Sequence, residues 1–149
     1  METRQTGWLI IITIAITMIS WLSTILLADN NSHEMIYLYL FFPVLFIPVL
    51  LFYQLTVIVD FKEVKIRFGI GLIRKSWKIA QFESARAVKN SILRGWGIHY
   101  RINTSIYNVS GLKAVKCKLK NSKRSIIIGS AEPEKLAAHI NRMIEKSSR

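Results

Sequence analysis

From Gly7 to Ala28 the chain reads GWLIIITIAITMISWLSTILLA, 22 residues without one charge. As an α-helix this stretch is roughly 33 Å long at about 1.5 Å per residue, enough to cross the hydrocarbon core of a bilayer. A second uncharged run, MIYLYLFFPVLFIPVLLFY from Met35 to Tyr53, gives roughly 28 Å by the same arithmetic. Of 149 residues, only those from 54 onward are left for a folded domain, and that is enough for one. The expected organisation is an N-terminal transmembrane hairpin over 1–53, with helices at about 7–28 and 35–53, followed by a domain over 54–149.

A cleavable secretory signal would need an apolar core of about 7–15 residues, positive charge before it and small residues after it. Here Arg4 alone precedes the run and Leu26-Leu27-Ala28 ends it, so the sequence reads as an anchor. Pro43 and Pro48 are tolerated in membrane spans, and Trp8, Tyr37, Tyr39 and Tyr53 fall near the expected interfaces. Neither run holds an Asp, Glu, Lys, Arg or His, so a proton relay or ion pathway is not expected. Thr13, Thr17, Ser20 and Thr24 recur at helical spacing and are candidates for helix–helix contact, within the hairpin or between copies. The alternative is that these hydroxyls bond back to their own helix carbonyls.

Charge gives the orientation. The connector Asp29–Glu34 carries a formal −2, whereas residues 54–149 hold twenty Lys/Arg against six Asp/Glu, a net +14. Basic flanks stay on the cytoplasmic side, which puts both termini inside and the connector outside.

After Tyr53 the pattern changes to strand periodicity. Leu55, Val57 and Val59 alternate with polar or outward positions, as do Val64, Ile66 and Phe68. Ile73–Ala80, Ile98–Ile102 and Val115–Leu119 are further strands, and Ser125–Ile128 reads as a more completely buried strand before Gly129. The short turns imply mostly antiparallel pairing. At about 131–146 the spacing of Leu136, Ala137, Ile140, Met143 and Ile144 predicts an amphipathic helix, with Ser130 as its cap and Pro133 in its first turn. The fold class is a membrane α-helical hairpin plus an α+β, mainly β, domain. Its antiparallel strands form a small barrel or sandwich closed by the C-terminal helix.

Two spans, the strand Leu55–Asp60, the segments FGIGLI (68–73), GWGI (95–98) and YNVSGL (107–112), and Ile128-Gly129 before Glu132-Pro133 follow in order. In this order the chain resembles small bacterial membrane proteins carrying a pleckstrin-homology-like domain. The resemblance covers essentially the whole chain and rests on glycine turns and buried aromatics. It implies a PH-like domain at the cytoplasmic face of a bacterial inner (plasma) membrane.

Catalytic signatures are sparse. Cys117 is a lone cysteine, and its alternation with lysines places it on a buried strand face. His33, His99 and His139 lie far apart, and no metal or cofactor is expected. Ser110 lacks a nucleophile-elbow context, and Gly69-Ile70-Gly71 lacks the rest of a nucleotide loop. Asp60 and Glu63 fall at a hairpin and Glu132 and Glu134 at the helix start, which leaves no evident acid/base pair, so no enzyme is expected.

The basic strip has functional reach. Lys62, Lys65 and Arg67 follow the membrane, and Lys116, Lys118, Lys120, Lys123 and Arg124 form a second set. Both are candidates for binding anionic lipid headgroups or a protein partner, each near-surface charge contributing about 1 kcal/mol. A solvated outer face accounts for the same charges. Nucleic acid is disfavoured, because no recognition helix or stacking set accompanies them. The alternative function is an assembly subunit that oligomerises through the Thr13/Thr17/Ser20/Thr24 stripe and recruits a protein partner.

Overall fold

In the computed structural model, which describes residues 1–27, 44, 46–89 and 97–148, the chain opens on a strand before the first apolar run. Strand β1 (Glu2–Thr6) leads into helix α1 (Trp8–Leu27), and β2 (Gln54–Val59) takes up the chain beyond the apolar region. β1 and β2 pair antiparallel from Thr6↔Gln54 to Glu2↔Ile58, and the Gly7 N–H donates to the Tyr53 carbonyl at 2.7 Å. The segment from 7 to 53 therefore leaves and rejoins the domain through one two-stranded neck. α1 is long and apolar enough to cross a membrane, and none of its residues is buried. Of the second expected span, residues 35–43 and 45 lie outside the described residues, as does the 29–34 connector, while 46–52 are helical.

β2, β3 (Glu63–Phe68) and β4 (Ile73–Lys78) extend β1 into a four-stranded sheet in the order β1-β2-β3-β4. Leu55, Val57, Val59, Val64, Ile66 and Phe68 alternate inward and are all buried. The 69–72 turn between β3 and β4 meets the end of the 46–52 helix: the Ile70 N–H donates to the Leu50 carbonyl at 3.1 Å, and the Gly69 N–H to the Gln54 carbonyl at 2.7 Å. The first of these bonds occupies a carbonyl that the helix end otherwise leaves open. Gly69 sits at φ 49°, and a Cβ there would overlap the Leu50 carbonyl oxygen. Phe52, at the helix end, packs edge-on against core Phe68 with ring centres 5.6 Å apart.

The second sheet holds β5 (Phe82–Lys89), β6 (Gly97–Arg101), β7 (Thr104–Asn108), β8 (Lys113–Leu119) and β9 (Ser125–Gly129), in the order β5-β8-β9-β7-β6. Its pairing departs from a purely antiparallel scheme, because β9 lies parallel to β7. The reason is that all five residues of β9 are buried. A strand apolar on both faces belongs at the centre of a sheet, so β9 inserts between β7 and β8 instead of extending their hairpin. The two sheets share one core, but among the described residues they do not close into a barrel. Of the two expected architectures, the sandwich is the one formed.

Helix α2 (Pro133–Ser147) covers one side of this sandwich with Leu136, Ala137, Ile140 and Met143. It begins two residues later than the 131 start expected, and Glu132 occupies the N-cap position instead of Ser130. The Ser130 hydroxyl accepts the Glu132 N–H at 3.2 Å, turning the chain just before the helix. Asn141 faces the β5 edge: its amide oxygen accepts the Ala85 N–H and its amide nitrogen donates to the Ala85 carbonyl, both at 2.8 Å. One side chain thus satisfies a backbone pair that another strand would otherwise seek. β1 is tied to the second sheet in a similar way. Gln5 Nε2 donates to the Ser110 carbonyl at 2.6 Å, and Ser110 Oγ donates to the Thr6 carbonyl at 2.7 Å.

Asn141→Ala removes two hydrogen bonds and is expected to lower unfolding stability by about 2 kcal/mol, at roughly 1 kcal/mol each. A chemical-denaturation midpoint unchanged from wild type would show that Asn141 does not plug the edge. Gly69→Ala is expected to cost about 2 kcal/mol or more, from its left-handed backbone and the clash with Leu50. Gly97→Ala provides the contrast in the same assay, since its φ of 101° carries strain but no atom of the described residues lies within 4 Å of the added Cβ.

Candidate functional site

The neck gives the domain two ends. The 69–72 turn meets the helix foot, and the 109–112 connection is latched to Thr6 by Ser110. The 60–62 hairpin, the 102–103 turn and the 120–124 turn stand at the opposite end of their strands.

On the outer face of the first sheet, strand register places Arg4, Thr56, Arg67 and Arg74 in one transverse row. Arg4 lies opposite Thr56, Thr56 opposite Arg67, and Arg67 opposite Arg74. This row is two residues from the neck on β1, roughly 7 Å along the strand. Directly opposed like charges are unfavourable in an antiparallel pair unless something neutralises them. The acids lie farther from the neck: Glu2 pairs with Arg4 at 2.8 Å, and Glu63 with Lys65 at 2.8 Å. Among the described residues no acid pairs with Arg67 or Arg74. Arg74 Nε donates to the Gly71 carbonyl, which ties it to the turn. Arg67, Arg74, Lys65 and Lys75 line a cleft of about 510 Å³.

The structure separates the basic residues that the sequence grouped together. Lys65 and Arg67 share this cleft, but Lys62 is at the far hairpin, roughly 17 Å along the strand from Arg67. Lys116, Lys118 and Lys123 meet on the other sheet, in a cleft of about 430 Å³ with Arg86 and Glu83, and Lys118 pairs with Glu83 at 2.9 Å. Lys120 is in the far turn, where its N–H donates to the Gln81 carbonyl. Arg124 lines a third cleft, of about 310 Å³, with Trp77, Tyr100, Arg101 and Ile102. Sequence reading missed Arg74, Lys75 and Arg86, and took Arg4 only as a flank. The signal for Arg74 was present, because Arg67 and Arg74 stand symmetrically about the 69–72 turn.

Elsewhere, Cys117 is fully buried, and burial pushes its thiol up to about 12. Burial, with Tyr100 beside it, raises the Tyr107 phenol above its ordinary value. His139 is lowered by burial and then by the N-terminal ammonium, Arg142 and Lys146. Among the described residues no three His, Cys, Asp or Glu side chains gather to hold a metal. On α1, the Thr17 hydroxyl donates to the Thr13 carbonyl at 2.8 Å and the Thr24 hydroxyl to the Ser20 carbonyl at 3.0 Å. Two hydroxyls of the stripe are therefore satisfied within their own helix.

A thiol raised from 9.0 to about 12 holds roughly a thousandfold less thiolate at neutral pH. Native Cys117 is expected to resist a maleimide until the domain is unfolded. Stoichiometric labelling of the folded protein within minutes would contradict its placement in the core. Family models, curated proteins and solved structures give no match to this chain, so its fold and its basic faces carry the functional reading.

Proposed function

We propose that the protein is a membrane-anchored PH-like domain without catalysis of its own, which holds a basic face against anionic lipid headgroups at the cytoplasmic side of a bacterial inner membrane. The observation that carries this reading is the neck. Strands that hydrogen-bond to each other lie on the same side of a bilayer, so β1 and β2 fix both feet of the 7–53 segment on one side. If α1 crosses, the chain has to cross back before Gln54, which favours the two-span hairpin with both termini inside. A cleaved leader would take β1 and the edge of the first sheet with it, which favours an anchor. The sandwich closed by α2 supports the PH-like resemblance.

Screening decides which charges serve the membrane. At physiological salt the Debye length is about 8 Å, so the arginine row near the neck is within reach of headgroups. Lys118 is five residues along β8 from the neck end at Lys113, roughly 17 Å, and the 120–124 turn is farther still.

That far end favours a second, compatible reading, recruitment of a protein partner. Ile102 is 95 % exposed there and Tyr100 66 %, beside Arg101 and Arg124.

Membrane discs excised with the full chain are expected to be enriched in anionic phospholipid over the bulk membrane, and the enrichment should fall as salt is raised before excision. Discs with the bulk composition at every salt concentration would contradict the lipid reading.

A further inference from the structure

Four independent features of the neck converge on one ligand. First, Arg67 and Arg74 oppose each other directly, and among the described residues no acid pairs with either. Second, they open into a cleft with Lys65 and Lys75, while the acids of that face, Glu2 and Glu63, lie farther from the neck. Third, the adjoining turn exposes apolar side chains: Ile70 is 56 % and Leu72 73 % exposed, and Trp8 at the start of α1 is 67 % exposed. Fourth, the turn is fastened at its base, because Ile70 donates to the Leu50 carbonyl and the Arg74 guanidinium to the Gly71 carbonyl. An apolar tip backed by paired arginines matches an amphiphile with an anionic head. Arg suits the phosphate, since its planar fork binds two oxygens at once.

We propose that Arg67 and Arg74, aided by Arg4 and the Thr56 hydroxyl, bind the phosphate of an anionic phospholipid in the bilayer that α1 enters, with Ile70 and Leu72 seated among the headgroups beside it. This rests on the membrane reading above and narrows it to one site and one ligand class. The tether supplies the lipid at high local concentration, so the site needs little intrinsic affinity. Continuity with the helix foot identifies the occupant as a lipid of the same bilayer rather than a dissolved anion. Lys116 and Lys118 belong to the opposite sheet and take no part.

The test uses the full chain in phosphatidylcholine vesicles doped with spin-labelled phosphatidylglycerol or spin-labelled phosphatidylcholine, reading the motionally restricted fraction of each. Wild type is expected to favour phosphatidylglycerol, and R67Q/R74Q to reduce that preference by about thirtyfold, as two near-surface charges are removed. K116Q/K118Q is expected to match wild type, and circular dichroism should show both variants folded. Leu72→Gln, which keeps every charge, is expected to weaken the preference by about threefold through lost apolar contact. Full preference in folded R67Q/R74Q, or a loss in K116Q/K118Q instead, would overturn the site while leaving the lipid reading standing. No preference in wild type would sink the lipid reading itself. Abolition by added inorganic phosphate at constant ionic strength would mark the cleft as a site for free anions and overturn the lipid as its ligand.

Discussion

Backbone pairing between Glu2–Thr6 and Gln54–Val59 ties two distant parts of the chain together, and much of the molecule follows from that ladder. It brings the start of α1 and the end of the 46–52 helix within one hydrogen bond of each other, Gly7 to Tyr53. It supplies the first sheet with an edge strand, and it sets the row in which Arg4 lines up with Thr56, Arg67 and Arg74. Closing so long a segment is entropically unfavourable, though the cost grows only slowly with length. Side-chain bonds through Gln5 and Ser110 reinforce the closure from the second sheet.

The same neck organises charge. A domain of net +14 is adjacent to an uncharged helix, yet its basic residues are not equivalent. In the outer row of the first sheet nearest the neck, Arg67 and Arg74 oppose each other, and among the described residues no acid pairs with either. Farther along, Lys65 and Lys118 each have a carboxylate within 3 Å, at 2.8 and 2.9 Å. Exposed ion pairs of this kind contribute little to stability, but they neutralise the face locally. On the outer face of the first sheet, Arg67 and Arg74 thus keep their charge within about one Debye length of the helix foot.

Legibility in the sequence followed the hydrophobic period. β2 and β3 alternate cleanly and α2 repeats at helical spacing, so all three could be read directly. β1 could not be read, because the one side chain it buries is Gln5, whose place is set by a hydrogen bond to the Ser110 carbonyl. β5 was hidden by a register shift between Phe82 and Ser84, which breaks the two-residue period. β9 was recognisable as a buried strand, but its position between β7 and β8 depends on which neighbours can cover both its faces. At the site, Lys65 and Arg67 were visible as a charged alternation. Arg74 mirrors Arg67 across the 69–72 turn, a spacing open to a hairpin reading, whereas Arg4 joins them only through the non-local register of β1, a property of the fold.

The central claim is that both feet of the apolar segment stand on the same side of the membrane. In a Cys117→Ala background, single cysteines at Glu2, Asn31 and Lys123 can be probed with a membrane-impermeant maleimide on intact cells and again after permeabilisation. Two crossings predict that Asn31→Cys labels in intact cells, while Glu2→Cys and Lys123→Cys both label only once the membrane is opened. Labelling of Glu2→Cys and Lys123→Cys from opposite sides would separate β1 from β2 and contradict the account.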